Sequence, residues 1–203
     1  AADNRADGVI SHGTSLCWTT VYDAIADAGV DFVINTGDLV EEGESRDEWA
    51  DFLEKSDAWM GEVPIMGAIG NHDDDEVEGD GANYNRVLAM PRNSANQTED
   101  FYSFDYGNVH FACLSTDSFT GNHLETQLAW LEQDLAATDK MWKVVYLHVP
   151  IYSSGSHGTD EDSNNAYLIP VFDAHHVDLV LTGHDHIYER YRPMHGGQGV
   201  ASY

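Results

Sequence analysis

Four strand-like apolar runs in this chain each end in a short polar segment that carries a side chain able to bind a metal ion. In chain order the segments are Asn35-Thr36-Gly37-Asp38, Gly70-Asn71-His72-Asp73, His148-Val149-Pro150 and Gly183-His184-Asp185-His186. Imidazole is the commonest metal-ligating side chain, and open α/β sheets bind ligands outside the carboxyl ends of their strands. We therefore expect the four segments to meet in one site at one edge of a sheet.

Helical patterns alternate with these runs. The predicted strands are residues 32–34, 65–69, 144–147 and 177–181, and the last of them is expected to be buried. The predicted helices are residues 18–25, the segment after a capping box at Ser45 and Glu48, residues 124–135 and residues 167–172. Pro170 is expected near the first turn of the last helix. This alternation indicates βαβ units and a largely parallel sheet in an α/β fold.

Two segments depart from the alternation. Residues 101–114 read as two strand-like runs around a turn at residues 105–108, which predicts an inserted hairpin. Residues 73–100 are polar and are expected to form a loop near the site. The acidic run at residues 73–76 lacks the spacing of a calcium loop, and we interpret it as solvated charge.

A length of 203 residues with 42% hydrophobic residues indicates a single domain, residues 1–203, with a substantial core. No apolar run approaches the roughly 18 residues that a membrane-spanning helix needs. Cys17 and Cys113 are too few for a disulfide framework or a thiolate metal site. Two buried thiols and one structural disulfide both remain open.

The charge of the chain is strongly acidic. Nine basic residues against 36 acidic ones give a formal net charge of −27. This excludes binding to nucleic acid or to an anionic membrane, because counterion release requires clustered Lys and Arg. We interpret the surface as adapted to high salt, where screening removes self-repulsion. An ordinary acidic secreted protein is the alternative.

The candidate metal ligands combine carboxylate, amide and imidazole groups. They are Asp38, Asn71, His148, His184 and His186, with Asp3 as a sixth. This mixture suits zinc, manganese or iron better than calcium or magnesium. Five or six ligands exceed the need of one tetrahedral ion but suit two ions that share a bridging carboxylate. Two metals about 3.5–4 Å apart are the arrangement for hydrolysis of phosphate esters.

The ordered set of motifs resembles the calcineurin-like metallophosphoesterase superfamily. In chain order the motifs are Gly37-Asp38, Gly70-Asn71-His72-Asp73, His148 and Gly183-His184-Asp185-His186. Four further segments resemble its purple acid phosphatase-like branch, namely residues 183–190, 131–135, 148–152 and 102–104. The resemblance covers nearly the whole chain. It implies a four-layer α/β/β/α sandwich, here expected to be trimmed at both ends, with a dinuclear metal site.

The resemblance also implies roles for individual residues. Asp38 would be the bridging carboxylate, and His186 would belong to the second metal site, to which Asp3 is the candidate ligand. The first site would be completed by Asn71, His148 and His184.

Three further residues are expected to face the substrate. His72 would contact phosphate and aid the leaving group, and His157, nine residues past His148, is a second substrate-facing histidine. Arg5 stands where the family has Gly or His, and it could bind a phosphate oxygen bidentately. Glu41 replaces the metal-binding tyrosine of the branch, so the purple colour should be missing. We expect Glu41 to be a solvated loop acid, with metal ligation as the alternative.

The resulting hypothesis is a hydrolase in which a metal-bound hydroxide attacks phosphorus, with two divalent or trivalent ions of Zn, Mn or Fe. Small phosphomonoesters are the favoured substrates, and phosphodiesters or nucleotides come next. The alternative is a non-catalytic metal- or phosphate-binding module, or an inactive trimmed domain of the same fold. The resemblance favours a secreted or periplasmic location, and the oligomeric state stays open.

Overall fold

The computed structural model describes residues 18–74, 83–95, 97–115, 123–157 and 165–201. Its helices are α1 (Trp18–Asp27), α2 (Arg46–Met60), α3 (Tyr84–Val87), α4 (His123–Ala137) and α5 (Asn165–His175). Its strands are β1 (Val33–Asn35), β2 (Ile65–Gly67), β3 (Tyr102–Tyr106), β4 (Val109–Cys113), β5 (Trp142–Tyr146), β6 (Leu179–Leu181), β7 (Met194–His195) and β8 (Gln198–Gly199).

The strands form two main sheets and a small terminal ribbon. Strands β1 and β2 pair in parallel, and a four-stranded sheet has the order β3-β4-β5-β6. Within it, β3 and β4 form an antiparallel hairpin, whereas β4, β5 and β6 run parallel. Strands β7 and β8 pair antiparallel. The predicted parallel pairing and the inserted hairpin at residues 101–114 are both confirmed.

Alternating side chains of the four-stranded sheet face two separate cores, as the period of two along a strand requires. Phe111 and Tyr146 pack into a core with β1, β2 and α2. Their neighbours Ala112 and Val145 pack into a second core with α4 and α5. Helix α1 contacts α2, and α4 contacts α5. The layers are therefore helix, sheet, sheet, helix, and the predicted four-layer sandwich is confirmed.

Two details of the predicted elements are wrong. The strand predicted as buried is β6, an edge strand among the described parts of the sheet, and its Leu179 is 49% exposed. Pro170 lies inside α5, at its sixth residue, and not in the first turn. The apolar composition of a run does not reveal where in the sheet the strand pairs, and packing against α4 overrides the helix-breaking tendency of proline.

Helix α2 begins as predicted at Ser45, whose side chain accepts a hydrogen bond from the Glu48 backbone N–H at 3.4 Å. The second half of the capping box takes a different partner. The buried Glu48 carboxylate accepts from the backbone N–H groups of Glu41 at 2.8 Å and Glu42 at 3.0 Å. The start of α2 therefore fixes the loop that follows Asp38.

The segment predicted as a polar loop, residues 73–100, is more ordered than expected where the structure describes it. It includes α3, and both Asp73 and Tyr84 are fully buried. The interpretation of Asp73 as solvated charge is wrong. Cys113 is a buried free thiol, and Cys17 lies outside the described residues. Among the described helices, none is long and apolar enough to cross a membrane.

Candidate metal centre

The segments that follow β1, β2, β5 and β6 meet at one edge of the sandwich. Ligand atoms of Asp38, His148 and His184 all lie within 4.8 Å of one another. The Oδ1 atom of Asn71 lies 3.0 Å from His148 Nε2 and 2.9 Å from His184 Nδ1. Four predicted ligands are thus brought together.

The backbone at this edge adopts an uncommon conformation. Asp38, His184 and His186 have positive φ angles of 55°, 71° and 50°. These are three of the five non-glycine residues with positive φ in the described ranges. Each such residue costs about 1–3 kcal/mol and persists only where its surroundings enforce it, most often at a functional site.

Two glycines allow the ligand loops to touch. Gly37 has a φ of 102°, and a Cβ atom there would lie 2.5 Å from His148 Nδ1. A Cβ atom on Gly70 would overlap the carboxylate of Asp38. A side chain at Gly37 would therefore displace His148, and a side chain at Gly70 would displace Asp38.

Asp73 holds two of the loops together, and its role was missed from the sequence. Its Oδ1 accepts from the backbone N–H groups of Leu39 at 2.6 Å and Val40 at 3.2 Å, and its Oδ2 accepts from Gly70 at 2.9 Å. Burial and the charge of Asp38 raise the pKa of Asp73 to about 7, although the hydrogen bonds from the Gly70 and Val40 backbone act to lower it. Its position at the end of Gly70-Asn71-His72-Asp73 could have indicated a role at the site. The acidic residues that follow it made it look like part of a solvated acidic run.

His148 is oriented by the backbone. Its Nδ1 donates to the carbonyl oxygen of Thr36 at 2.7 Å, which leaves Nε2 to face the cluster, 3.3 Å from Asp38 Oδ2. Burial acts to lower the pKa of His148, but the hydrogen bond and charge of Asp38 outweigh it and raise the pKa above its ordinary value. For Asp38, burial acts to raise the pKa, but the hydrogen bond and charge of His148 together with the interactions of His72 outweigh it and lower the pKa.

His184 is prepared as a neutral ligand. Burial, followed by repulsion from His148 and His157, lowers the pKa of His184 to about 4. The ring is therefore uncharged at neutral pH and has a lone pair to offer. Carboxylate oxygen, amide oxygen and two imidazole nitrogens converge here, so the residues present fit one zinc, manganese or iron ion.

The residues predicted to hold a second ion are not brought together in the same way in the described structure. His186 is exposed and does not belong to the converging group. Asp3 and Arg5 lie outside the described residues. The Glu41 side chain is 37% exposed, yet its Oε2 atom is buried with no hydrogen-bond partner in the described structure. The interpretation of Glu41 as a fully solvated acid is therefore only half correct.

The two predicted substrate-facing histidines that the structure describes both border the cluster. The backbone N–H of His72 donates to Asp38 Oδ1 at 2.9 Å, and its ring Nδ1 donates to the Glu41 carbonyl oxygen at 2.8 Å. The His157 ring packs on the His184 ring with centroids 4.2 Å apart. Asp185 is buried and contacts His157.

Comparison with known proteins gives the same assignment. The profile of the family described as calcineurin-like phosphoesterase matches residues 12–188. Purple acid phosphatase 18 of Arabidopsis thaliana is 30% identical over 171 residues, covering 80% of this chain and 39% of that protein. Purple acid phosphatase 23 of the same plant is 32% identical over 154 residues, covering 71% and 32%.

The fold is also similar to a solved structure. A purple acid phosphatase isolated from yellow lupin (Lupinus luteus) seeds superposes with a TM-score of 0.74 at 24% identity, covering 89% of this chain and 35% of that one. The chain thus spans about two fifths or less of the length of these relatives. It belongs to the calcineurin-like phosphoesterase family, in its purple acid phosphatase-like branch.

Proposed function

We propose that the chain is the catalytic domain of a phosphoester hydrolase that uses two metal ions and acts on small phosphomonoesters. The observation that carries this proposal is the convergence of Asp38, Asn71, His148 and His184 at the strand ends. Membership of the phosphoesterase family supports the same reaction class.

The first ion would be held by these four side chains. Asp38 would bridge to a second ion, with His186 and Asp3 as its further ligands and Glu41 beside them. When bound, the ions supply charge stabilisation on the phosphoryl oxygens and lower the pKa of water. Zinc, manganese and iron all suit this donor set.

The chain itself positions the substrate and moves the proton. His72 donates its Nδ1–H to the backbone, so its Nε2 is the nitrogen available to the phosphate or to the leaving oxygen. His157 offers a second imidazole beside His184. In this proposal the Nε2 of one of the two rings takes up a proton from water and passes it to the departing alkoxide. Arg5 would bind a phosphoryl oxygen.

The test is hydrolysis of p-nitrophenyl phosphate at high salt by protein loaded with zinc, manganese or iron. Asp38→Asn should lower kcat on the order of a thousandfold, because several kcal/mol of charge stabilisation depend on this carboxylate. Asp23→Asn, on the exposed face of α1, is the matched control. Absence of turnover with all three metals, or equal rates for Asp38→Asn and the wild-type protein, would refute the proposal.

The exposed position of His186 favours one alternative, a module that binds a single metal without turnover. Metal analysis separates the two functions. Two ions per chain together with turnover support the hydrolase, whereas one ion without turnover supports the binding module. Faster hydrolysis of bis-p-nitrophenyl phosphate than of the monoester would indicate a phosphodiesterase.

A further inference from the structure

We propose that Asp185 is a positioning residue that fixes the orientation and the tautomer of His157, so that Nε2 of this ring faces the substrate. The inference rests on the proposed function for its catalytic consequence. Its structural part, the tautomer, can be measured separately.

Asp185 lies between the candidate ligands His184 and His186, but its carboxylate takes a different partner. Its Oδ1 accepts from the backbone N–H of His157 at 3.0 Å and lies 2.8 Å from His157 Nδ1. An ionised carboxylate only accepts hydrogen bonds, so the proton of the neutral ring resides on Nδ1. The lone pair is then on Nε2.

The loop that carries His157 is built around this carboxylate. The side chain of Ser153 also hydrogen-bonds to Asp185, and the backbone N–H of Gly155 donates to Ser153 Oγ at 2.9 Å. A Cβ atom on Gly155 would lie 2.7 Å from Asp185 Cγ, so only glycine allows this approach. Asp185 is 7% exposed. Its carboxylate therefore serves as the internal anchor of residues 153–157.

A second carboxylate anchors the same loop without touching the histidine. Glu189 accepts from the backbone N–H of Ser154 at 3.1 Å and from the Ser154 hydroxyl. It therefore provides a matched control for loop anchoring alone.

The position of the ring explains why its tautomer matters. His157 packs on His184, whose Nδ1 points into the ligand cluster, and its side chain is 51% exposed. The ring thus stands at the solvent side of the candidate metal centre. With Nδ1 occupied by Asp185, Nε2 is the nitrogen that can take up a proton from water. Once protonated, Nε2 can hydrogen-bond to a phosphoryl oxygen or pass that proton to the leaving group.

The first experiment measures the tautomer by ¹⁵N NMR of histidine-labelled protein, with the His157 signals identified by their absence in His157→Ala. Wild-type protein and Asp185→Asn, which retains an acceptor oxygen, should show protonated Nδ1. Asp185→Ala should shift the ring toward protonated Nε2, whereas Glu189→Ala, which removes the other anchor of the loop, should leave the signal in place. A wild-type ring protonated on Nε2 would overturn the inference without any variant.

The second experiment measures kinetics. Asp185→Ala should lower kcat about 10–100-fold, the range found for carboxylates that orient metal-ligating histidines, with little change in KM. Asp185→Asn should recover most of this loss. In a His157→Ala background, Asp185→Ala should cost nothing further. An equal cost in both backgrounds would overturn the inference. An inactive wild-type protein that still shows the Asp185-dependent tautomer would refute the proposed function and support the positioning.

Discussion

Two buried histidines, His110 and His148, both have carboxylate neighbours, but their ring nitrogens face different sets of partners. His110, on β4, has its Nδ1 2.8 Å from Oδ1 of Asp105 on β3 and its Nε2 2.8 Å from Oδ2 of Asp134 on α4. His148 donates one nitrogen to a backbone carbonyl and turns the other toward Asp38 and Asn71.

The difference lies in what each ring faces. Both nitrogens of His110 meet acceptor-only carboxylates, so both carry protons and the cluster is complete within the protein. Around His148, an amide oxygen, a carboxylate and a second, uncharged imidazole converge on one nitrogen. A single proton on that nitrogen can satisfy only one of these three groups, whereas a bound cation can accept electron pairs from all of them. The pattern of partners, and not burial or the number of histidines, therefore distinguishes a candidate metal site from a structural pair.

The largest expected effect is on metal binding. His148→Ala should weaken binding of the first ion by more than about a hundredfold, since loss of even an outer partner of a ligand reaches that range. His110→Ala should bind metal as the wild-type protein does. Calorimetric titration with zinc and metal analysis provide the measurement. Equal affinity in the two variants would remove the distinction between the clusters.

The next effect is on stability. Asp134→Asn should lower the free energy of unfolding by about 2 kcal/mol, because it takes a charged partner from the buried imidazolium of His110. Asp139→Asn, on an exposed site just past α4, is the matched control. Urea unfolding at pH 6 measures both. A loss no larger than that of the control would show that the His110 cluster carries no stability.

The stabilisation by His110 should depend on pH with a definite sign. Burial acts to lower the pKa of His110, but the hydrogen bonds to Asp134 and Asp105 outweigh it and raise the pKa. A raised pKa in the folded protein gives stability that is fully present below the unfolded value, about 6.5. This stability is lost as the pH rises through the folded value. The difference in unfolding free energy between wild-type protein and His110→Gln should therefore be larger at pH 5.5 than at pH 9.

The smallest effect compares a surface pair with the buried cluster. Lys55 and Asp51 form an i, i+4 pair at 2.6 Å on α2. Lys55→Gln should lower the free energy of unfolding by about 0.3–0.5 kcal/mol at low salt and by almost nothing in 2 M KCl, whereas the effect of Asp134→Asn should change little with salt.

The wild-type protein should gain stability with added KCl if its net charge of −27 reflects adaptation to salt. Stability that is flat or falling with KCl would refute that interpretation.

The sequence predicted strands β1, β2, β5 and β6, the β3–β4 hairpin, the cap at Ser45 and the segments that meet in the candidate site. Local patterns carry this information, because apolar periodicity and strand-end glycines are properties of short segments. What it could not predict depends on long-range packing. The edge position of β6 follows from the strand order, and the contact between Asp185 and His157 joins segments 28 residues apart. Asp73 was misread because adjacent acids look alike until one of them is buried.

The three backbone bonds of Asp73 also bear on how the chain would take up a metal ion. Leu39, Val40 and Gly70 all donate to one carboxylate, so bonds within the polypeptide hold together the loops that present Asp38 and Asn71. Loading this position then requires little ordering of the chain. A preformed site with carboxylate, amide and imidazole ligands discriminates weakly among transition metals. The supply of metal in the surroundings would then decide which ion the protein holds.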